Sequence, residues 1–570
     1  MPYEVKFRLE PAEILFRTLR HRRALWRMIY LMTYFRGRLQ VGSLALIIVI
    51  AAPLFVQAQT QAQTPTAPAP ATTPATTPAT TPGGRGGRGG VPGPGPAVGG
   101  VVDETPAVSQ HSIQVNGKTL NYTATAAQMP LKDGAGETEA HIFYVAYTLD
   151  GVTDAGKRPL AFCFNGGPGS ASVWVHMGAM GPRTPKLLPN GAMPPPPYQL
   201  RDNPNTWLDQ ADLVFIDPVG TGYSRAKTVE VARRMNGVQG DLQSVGEFIR
   251  MYVTRNNRTL SPLYLAGESY GTFRAAGLAG YLIDRGIAFN GVVLISATLN
   301  LETIWSRSDD LVYALELPTY AADAWYHKKV APDLQKKDLK PFLKEVEGFA
   351  MGEYSAALNK GDALPAAERK AVLDKLVRYV GLEARYIDQS NLRFDVSHFT
   401  RELLRDRHQT IGRLDGRLTG PSSLNTGETS EFDPSNTLIA PPFTAAFTNY
   451  VRTELGYKTD LYYYVSGGIQ PWDYGVQNGF GDTTSLLRTA FARNPYMKVM
   501  VAASYFDLAT PYFAIEHTFN HMGLNPDMHK NVIWNYYQAG HMLYIDNDSS
   551  AKLKHDIGEF IAGSLPKDTM

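Results

Sequence analysis

Leu263-Tyr264-Leu265-Ala266-Gly267-Glu268-Ser269-Tyr270-Gly271-Thr272 is the stretch on which the reading of this chain turns. Its first four residues have the length and composition of a buried strand. G-x-S-x-G follows at once, and a helical run begins at Thr272. Glycines on both sides of Ser269 let the chain reverse sharply. The serine hydroxyl then stands above the sheet, and the helix start behind it aims N–H groups at a developing oxyanion. A strand before and a helix after distinguish a nucleophile elbow from a chance turn.

A serine hydroxyl is a weak nucleophile at its own pKa and needs a base. The chain has 12 histidines. His541, in Gln538-Ala539-Gly540-His541-Met542, comes just after the last strand-like run. His176, His398 and His555 have no such context and read as ordinary core or surface histidines. Asp507, in Ser504-Tyr505-Phe506-Asp507, follows the apolar run at 497–502. The order Ser269, Asp507, His541 is that of the α/β-hydrolase fold, in which the aspartate holds the imidazole tautomer and stabilises imidazolium. Asp546 and Asp548 lie past His541 and read as solvent residues. Asn165-Gly166-Gly167-Pro168-Gly169 follows a strand ending at Phe164. By position this loop supplies half of an oxyanion hole, and the Tyr270 N–H supplies the other half.

Outward from these motifs, apolar runs at 159–164, 212–216, 263–266, 292–295, 497–502 and 532–536 have the length of buried parallel strands. They alternate with helical segments, which predicts an α/β fold with a mostly parallel central sheet and helices on both faces. Residues 111–123 and 141–149 alternate as strands, with Asn116-Gly117 as a hairpin turn. From 300 to 450 there are no convincing buried strands. Helical periodicity appears at 321–330, 338–347 and 366–380, and 421–442 reads as a polar loop. A mostly helical cap inserted at 300–450 is expected, splitting a catalytic domain of 106–299 and 451–570.

The first 58 residues read as a targeting segment. A basic stretch with Arg20, Arg22, Arg23, Arg36 and Arg38 precedes an apolar run at 41–56, then Val56-Gln57-Ala58. The run is shorter than the roughly 20 residues of a spanning helix, so a cleaved signal is expected and a membrane anchor is the alternative. Met28 and Met32 are alternative starts. The segment 59–105 carries three ATTP repeats and GGRGGRGG. With no apolar face to bury, it is expected to be a disordered tether.

Net charge is +2, so no global field points to nucleic acid. The single cysteine, Cys163, excludes an internal disulfide framework. No H-E-x-x-H or thiolate cluster suggests a metal. Gly220-Thr221-Gly222 lacks the Lys-Ser/Thr of a nucleotide loop, so no cofactor is expected.

Taken together, NGGPGSAS at 165–172, MGP at 180–182, NPNTWLDQADLVFIDPVGTGYS at 203–224, GESYG at 267–271, FDLATP at 506–511 and GHM at 540–542 resemble the serine carboxypeptidase family. The resemblance implies the α/β-hydrolase fold with a helical insertion and cleavage of C-terminal residues from peptides. It implies Ser269, Asp507 and His541 as triad, and the Gly167 and Tyr270 N–H groups as oxyanion hole. It also implies Asn165 and Glu268 as ligands of the substrate's α-carboxylate. Three positions depart from the family pattern. Ala179 stands where a glutamate partner of Glu268 is usual, and Cys163 where an aromatic, usually tryptophan, is usual. Ser170 replaces a cysteine. An incomplete carboxylate subsite predicts weak discrimination for a free C-terminus. The expected reading is an exported serine peptidase acting on peptides through an acyl-enzyme. An esterase or acyltransferase with the same triad stays open, as does a non-catalytic envelope protein that binds peptides or glycans.

Overall fold

Alternation builds one end of the sheet in the computed structural model, which describes residues 97–566. Strand β1 (Ala107–Val115) exposes every second side chain along most of its length. Asn116 and Gly117, both at positive φ, turn the chain into β2 (Lys118–Lys132). That pair of left-handed residues matches the twist of a two-residue hairpin. Strand β3 (Thr138–Leu149) completes an antiparallel meander.

The remaining main strands are short and apolar, and almost all are buried. They are β4 (Leu160–Phe164), β5 (Asp212–Ile216), β6 (Leu263–Glu268), β7 (Gly291–Ile295), β8 (Lys498–Ser504) and β9 (Val532–Tyr537). The sheet has ten strands in the order β1-β2-β3-β5-β4-β6-β7-β8-β9, with Arg225–Ala226 paired to β3. From β5 to β9 all neighbours are parallel. Helices cover both faces, among them α1 (Val238–Arg255), α2 (Tyr270–Ile283) and, at the C-terminal end, α8 (Asn547–Ser564). This is the α/β-hydrolase arrangement, and the C-terminal ends of β4, β6, β8 and β9 share one edge.

Between β7 and β8 the chain is mostly helical. It includes α3 (Leu311–Tyr326), α4 (Leu339–Phe349), α5 (Ala366–Val380), α6 (Pro434–Thr453) and α7 (Thr484–Arg493). Two segments differ from expectation. α3 starts ten residues before the predicted 321, because Pro318 lies within the helix instead of breaking it. The predicted loop at 421–442 contains the first turns of α6. There Asp433 accepts hydrogen bonds from the Ser435 and Asn436 N–H groups, and Pro434 occupies the first turn, where its missing N–H costs nothing.

The targeting segment at 1–58 and most of the tether at 59–105 lie outside the described residues. The tether's last part is anchored. Ala97 is buried, and the Gly99 N–H donates to the Ala226 carbonyl at 2.8 Å. Among the described residues no helix is long and apolar enough to cross a membrane.

Candidate active site

The elbow is a point of backbone strain. Ser269 has φ 60° and ψ −132°, a conformation that a residue with a side chain rarely holds. Its own N–H donates to the Ile295 carbonyl at 3.0 Å, and its carbonyl accepts from the Thr272 N–H at 2.8 Å. The turn closes because no side chain blocks it. A Cβ on Gly267 would lie 2.1 Å from the Gly271 carbonyl oxygen, and one on Gly166 2.3 Å from the Tyr270 nitrogen. The second contact shows that the loop after β4 packs directly on the start of α2. Among the described residues neither the Gly167 nor the Tyr270 N–H has an internal acceptor. Both are therefore available to an incoming oxygen.

Asp507 follows β8 and is fully buried. Its Oδ1 accepts from the Ala509 and Thr510 N–H groups at 2.8 and 3.0 Å, and its Oδ2 lies 2.7 Å from the Thr510 hydroxyl. His541, after β9, donates from Nδ1 to Asp507 Oδ2 at 2.8 Å. Its carbonyl accepts from the Ser296 hydroxyl at 2.6 Å, which fixes the loop. This geometry leaves Nε2 as the free basic nitrogen of the neutral ring. Burial pulls the His541 pKa down. The Asp507 charge, its hydrogen bond and Glu268 outweigh it, and the pKa stands above the ordinary imidazole value. Nε2 lies 3.6 Å from Glu268 Oε1. Among the described residues no hydrogen bond joins it to Ser269 Oγ.

Glu268 is the last residue of β6, and it is buried beside Asn165, whose Nδ2 donates to Glu268 Oε2. Asn165 Oδ1 accepts from the Val175 N–H at 3.0 Å. Burial raises the Glu268 pKa above the ordinary carboxylate value, and Asp507 adds to the rise against the opposing pull of His541, Asn165 and Tyr544.

The structure thus brings Asn165, Gly167, Glu268, Ser269, Tyr270, Asp507 and His541 to one edge of the sheet. His176 is a core residue, stacked on Phe215 and bonded to the Tyr147 hydroxyl at 2.7 Å. His398 pairs with Asp395, and His555 is exposed. Asp546 is not a free solvent residue. It caps α8 through the Ser549 N–H and lies 3.6 Å from Arg417.

Sequence reasoning missed three parts of the site. Thr510 had a usable signal, since Asp-x-x-Thr is the spacing at which a carboxylate collects N–H and hydroxyl donors. Tyr544 had none. The loop at 463–473 also had none. Its Gly467 N–H donates to the Gly169 carbonyl at 2.9 Å, and its Val465 carbonyl accepts from the Ala171 N–H at 3.1 Å. It thereby braces the loop that carries Gly167. Among the described residues no cluster of three His, Cys, Asp or Glu side chains could hold a metal ion.

The arrangement can activate a hydroxyl, take up its proton at a buried imidazole and hold an oxyanion. The profile of the serine carboxypeptidase family matches residues 132–538. Serine carboxypeptidase-like 36 of Arabidopsis thaliana is 27% identical over 169 residues, covering 28% of this chain and 32% of the relative. The retinoid-inducible serine carboxypeptidase of Mus musculus is 28% identical over 166 residues, covering 27% of this chain and 33% of the relative. These matches span about a third of the curated relatives' length. A prohormone-processing carboxypeptidase of Saccharomyces cerevisiae superimposes over 78% of this chain and 92% of its own, with 15% identity and a TM-score of 0.49.

Proposed function

The chain belongs to the serine carboxypeptidase family, and from that premise we propose that it hydrolyses peptide bonds through Ser269, His541 and Asp507. The observation that carries this reading is the pairing of a strained serine elbow with a buried His541–Asp507 hydrogen bond at the same sheet edge. Ser269 Oγ attacks the carbonyl carbon while His541 Nε2 takes the hydroxyl proton. The Gly167 and Tyr270 N–H groups hold the oxyanion. His541 then gives the proton to the leaving amine, and water releases the acyl group from Ser269 by the same steps in reverse. The segment between β7 and β8 shapes access as a cap.

A fluorophosphonate is expected to label Ser269, and mass spectrometry of an incubated peptide library is expected to show residues lost from C-termini. Labelling without any peptide cleavage would favour the esterase or acyltransferase alternative, and no labelling would leave a binding protein.

The electrostatics give a second test. Glu268 raises the His541 pKa through its negative charge. Glu268→Gln removes that charge, so imidazolium loses a stabilising neighbour and His541 releases its proton at lower pH. The acid limb of kcat/KM, measured on a neutral ester, should move to lower pH. A limb that stays in place would show that Glu268 does not act on the imidazole.

We place the enzyme outside the cytoplasm because of the basic, apolar, then small-residue order of the first 58 residues. N-terminal sequencing of protein from the cell envelope should begin near Gln59. A start at Met1 would exclude cleavage.

A further inference from the structure

Tyr544 lies three residues beyond His541, in the turn Leu543–Ile545 that leads into α8. Its side chain is 2% exposed. The ring packs on Gly178, where a Cβ would stand 2.6 Å from the ring and 3.2 Å from Phe443. The absence of a side chain at Gly178 makes room for the large ring at this point.

The hydroxyl is turned to Glu268 and Asn165, yet among the described residues it closes no well-aligned hydrogen bond. A buried donor left unpaired is costly and calls for a partner. The groups around it also have contacts of their own. Asn165 Nδ2 donates to Glu268 Oε2, Asn165 Oδ1 accepts from the Val175 N–H, and Glu268 Oε1 faces His541 Nε2. The nearby Arg274 is spent on Asp241 and the Asn165 carbonyl.

In the proposed reaction His541 Nε2 protonates the leaving amine, so the departing residue rests beside Nε2. Glu268 is the carboxyl at that nitrogen, and Tyr544 adjoins Glu268. The carboxyl group of a departing amino acid is two bonds from its amine and reaches the same corner. We propose that Tyr544 is a specificity-determining residue whose hydroxyl donates a hydrogen bond to the free carboxylate of the departing C-terminal residue. This rests on the peptidase reading above. It reverses the expectation of weak discrimination drawn from Ala179, because a phenol supplies a donor beside Glu268.

The phenol differs from a carboxyl donor in one measurable respect. Burial, then Glu268, hold the Tyr544 pKa well above its ordinary value, so the hydroxyl keeps its proton at any working pH. Glu268 ionises as pH rises and then repels a carboxylate, while Asp507 stays buried behind His541. Acid preference should therefore decline with pH, but the share owed to Tyr544 should not.

The test measures binding without turnover. Calorimetry compares an N-acetyl dipeptide acid with its amide on Ser269→Ala and on Ser269→Ala/Tyr544→Phe, at acid and neutral pH. Phenylalanine keeps the ring packing. The acid-to-amide affinity ratio is expected to fall on the order of tenfold in the double variant, by the same factor at both pH values. An unchanged ratio, a loss seen only in acid, or no binding of either ligand would overturn the proposal. Failure of the peptidase reading is read separately, from Ser269 labelling and peptide cleavage by the unsubstituted enzyme.

Discussion

Ser269→Ala is expected to lower turnover by roughly 10³-fold or more, and His541→Ala and Asp507→Asn by comparable orders of magnitude. Ser269→Ala removes the attacking oxygen but keeps the elbow, since alanine meets the same strain at φ 60°. His541→Ala leaves no group to take the serine proton. Asp507→Asn is the subtlest. Asparagine keeps the shape but has only one acceptor oxygen, where Asp507 now serves two N–H groups, the Thr510 hydroxyl and His541 Nδ1. Its amide would turn a donor towards one of them, and the imidazole would lose the partner that sets its tautomer. The three side chains act as one unit, so a double or triple variant should be scarcely slower than Ser269→Ala. The measurement is kcat on an ester and on a peptide, with circular dichroism to show retained fold. More than about a tenth of the activity in Ser269→Ala would sink the mechanism, given a loss of the expected size.

The part of this site that was legible in the sequence is the part that follows from chain order. Ser269, Asp507 and His541 each follow within a few residues of a strand in the parallel part of the sheet. In a parallel sheet the residues after such strands meet at one edge, so their proximity needs no knowledge of loops. The strand interiors were readable for the same reason, since Leu160–Phe164 and Asp212–Ile216 are buried at every position. The misreadings fell where tertiary contacts override local signals. The second half of β2 contains Pro130 and little alternation, yet it pairs with β3 as far as Lys132. Pro318, Pro441 and Pro442 lie inside helices packed on the core, although proline locally disfavours a helix interior. Tyr544 and the loop at 463–473 reach the site only through close approaches between distant segments, such as Tyr544 on Gly178 and Gly467 on Gly169. No local pattern encodes those.

Arg274→Met is expected to destabilise the fold by about 3–5 kcal/mol, the cost of leaving one member of a buried ion pair alone. Arg274, on α2 five residues after Ser269, is 1% exposed and Asp241 on α1 is 3% exposed. The guanidinium Nε donates to Asp241 Oδ2 at 2.7 Å, and Nη1 donates to the Asn165 carbonyl at 2.7 Å. It also lies over the rings of Phe164 and Tyr270. One side chain thus ties α2 to α1 and to the loop that carries Gly167. Burial already raises the Asp241 pKa, with Arg274 opposing the rise. Without Arg274 the rise is larger. A carboxyl whose folded pKa lies above its unfolded value costs stability as pH climbs from the unfolded pKa through the folded one. The variant should therefore be weakest at neutral pH and partly recovered in acid, where Asp241 is protonated in both states. Arg274→Met/Asp241→Leu removes the orphaned charge and should regain much of the loss. It should not regain full activity, because the Asn165 carbonyl still lacks its donor and the Gly167 N–H is no longer held in place. Urea unfolding midpoints against pH, with kcat measured in parallel, separate these effects. A single-variant loss below about 1 kcal/mol, the size of an ordinary surface change, would show that the pair is not the tie described.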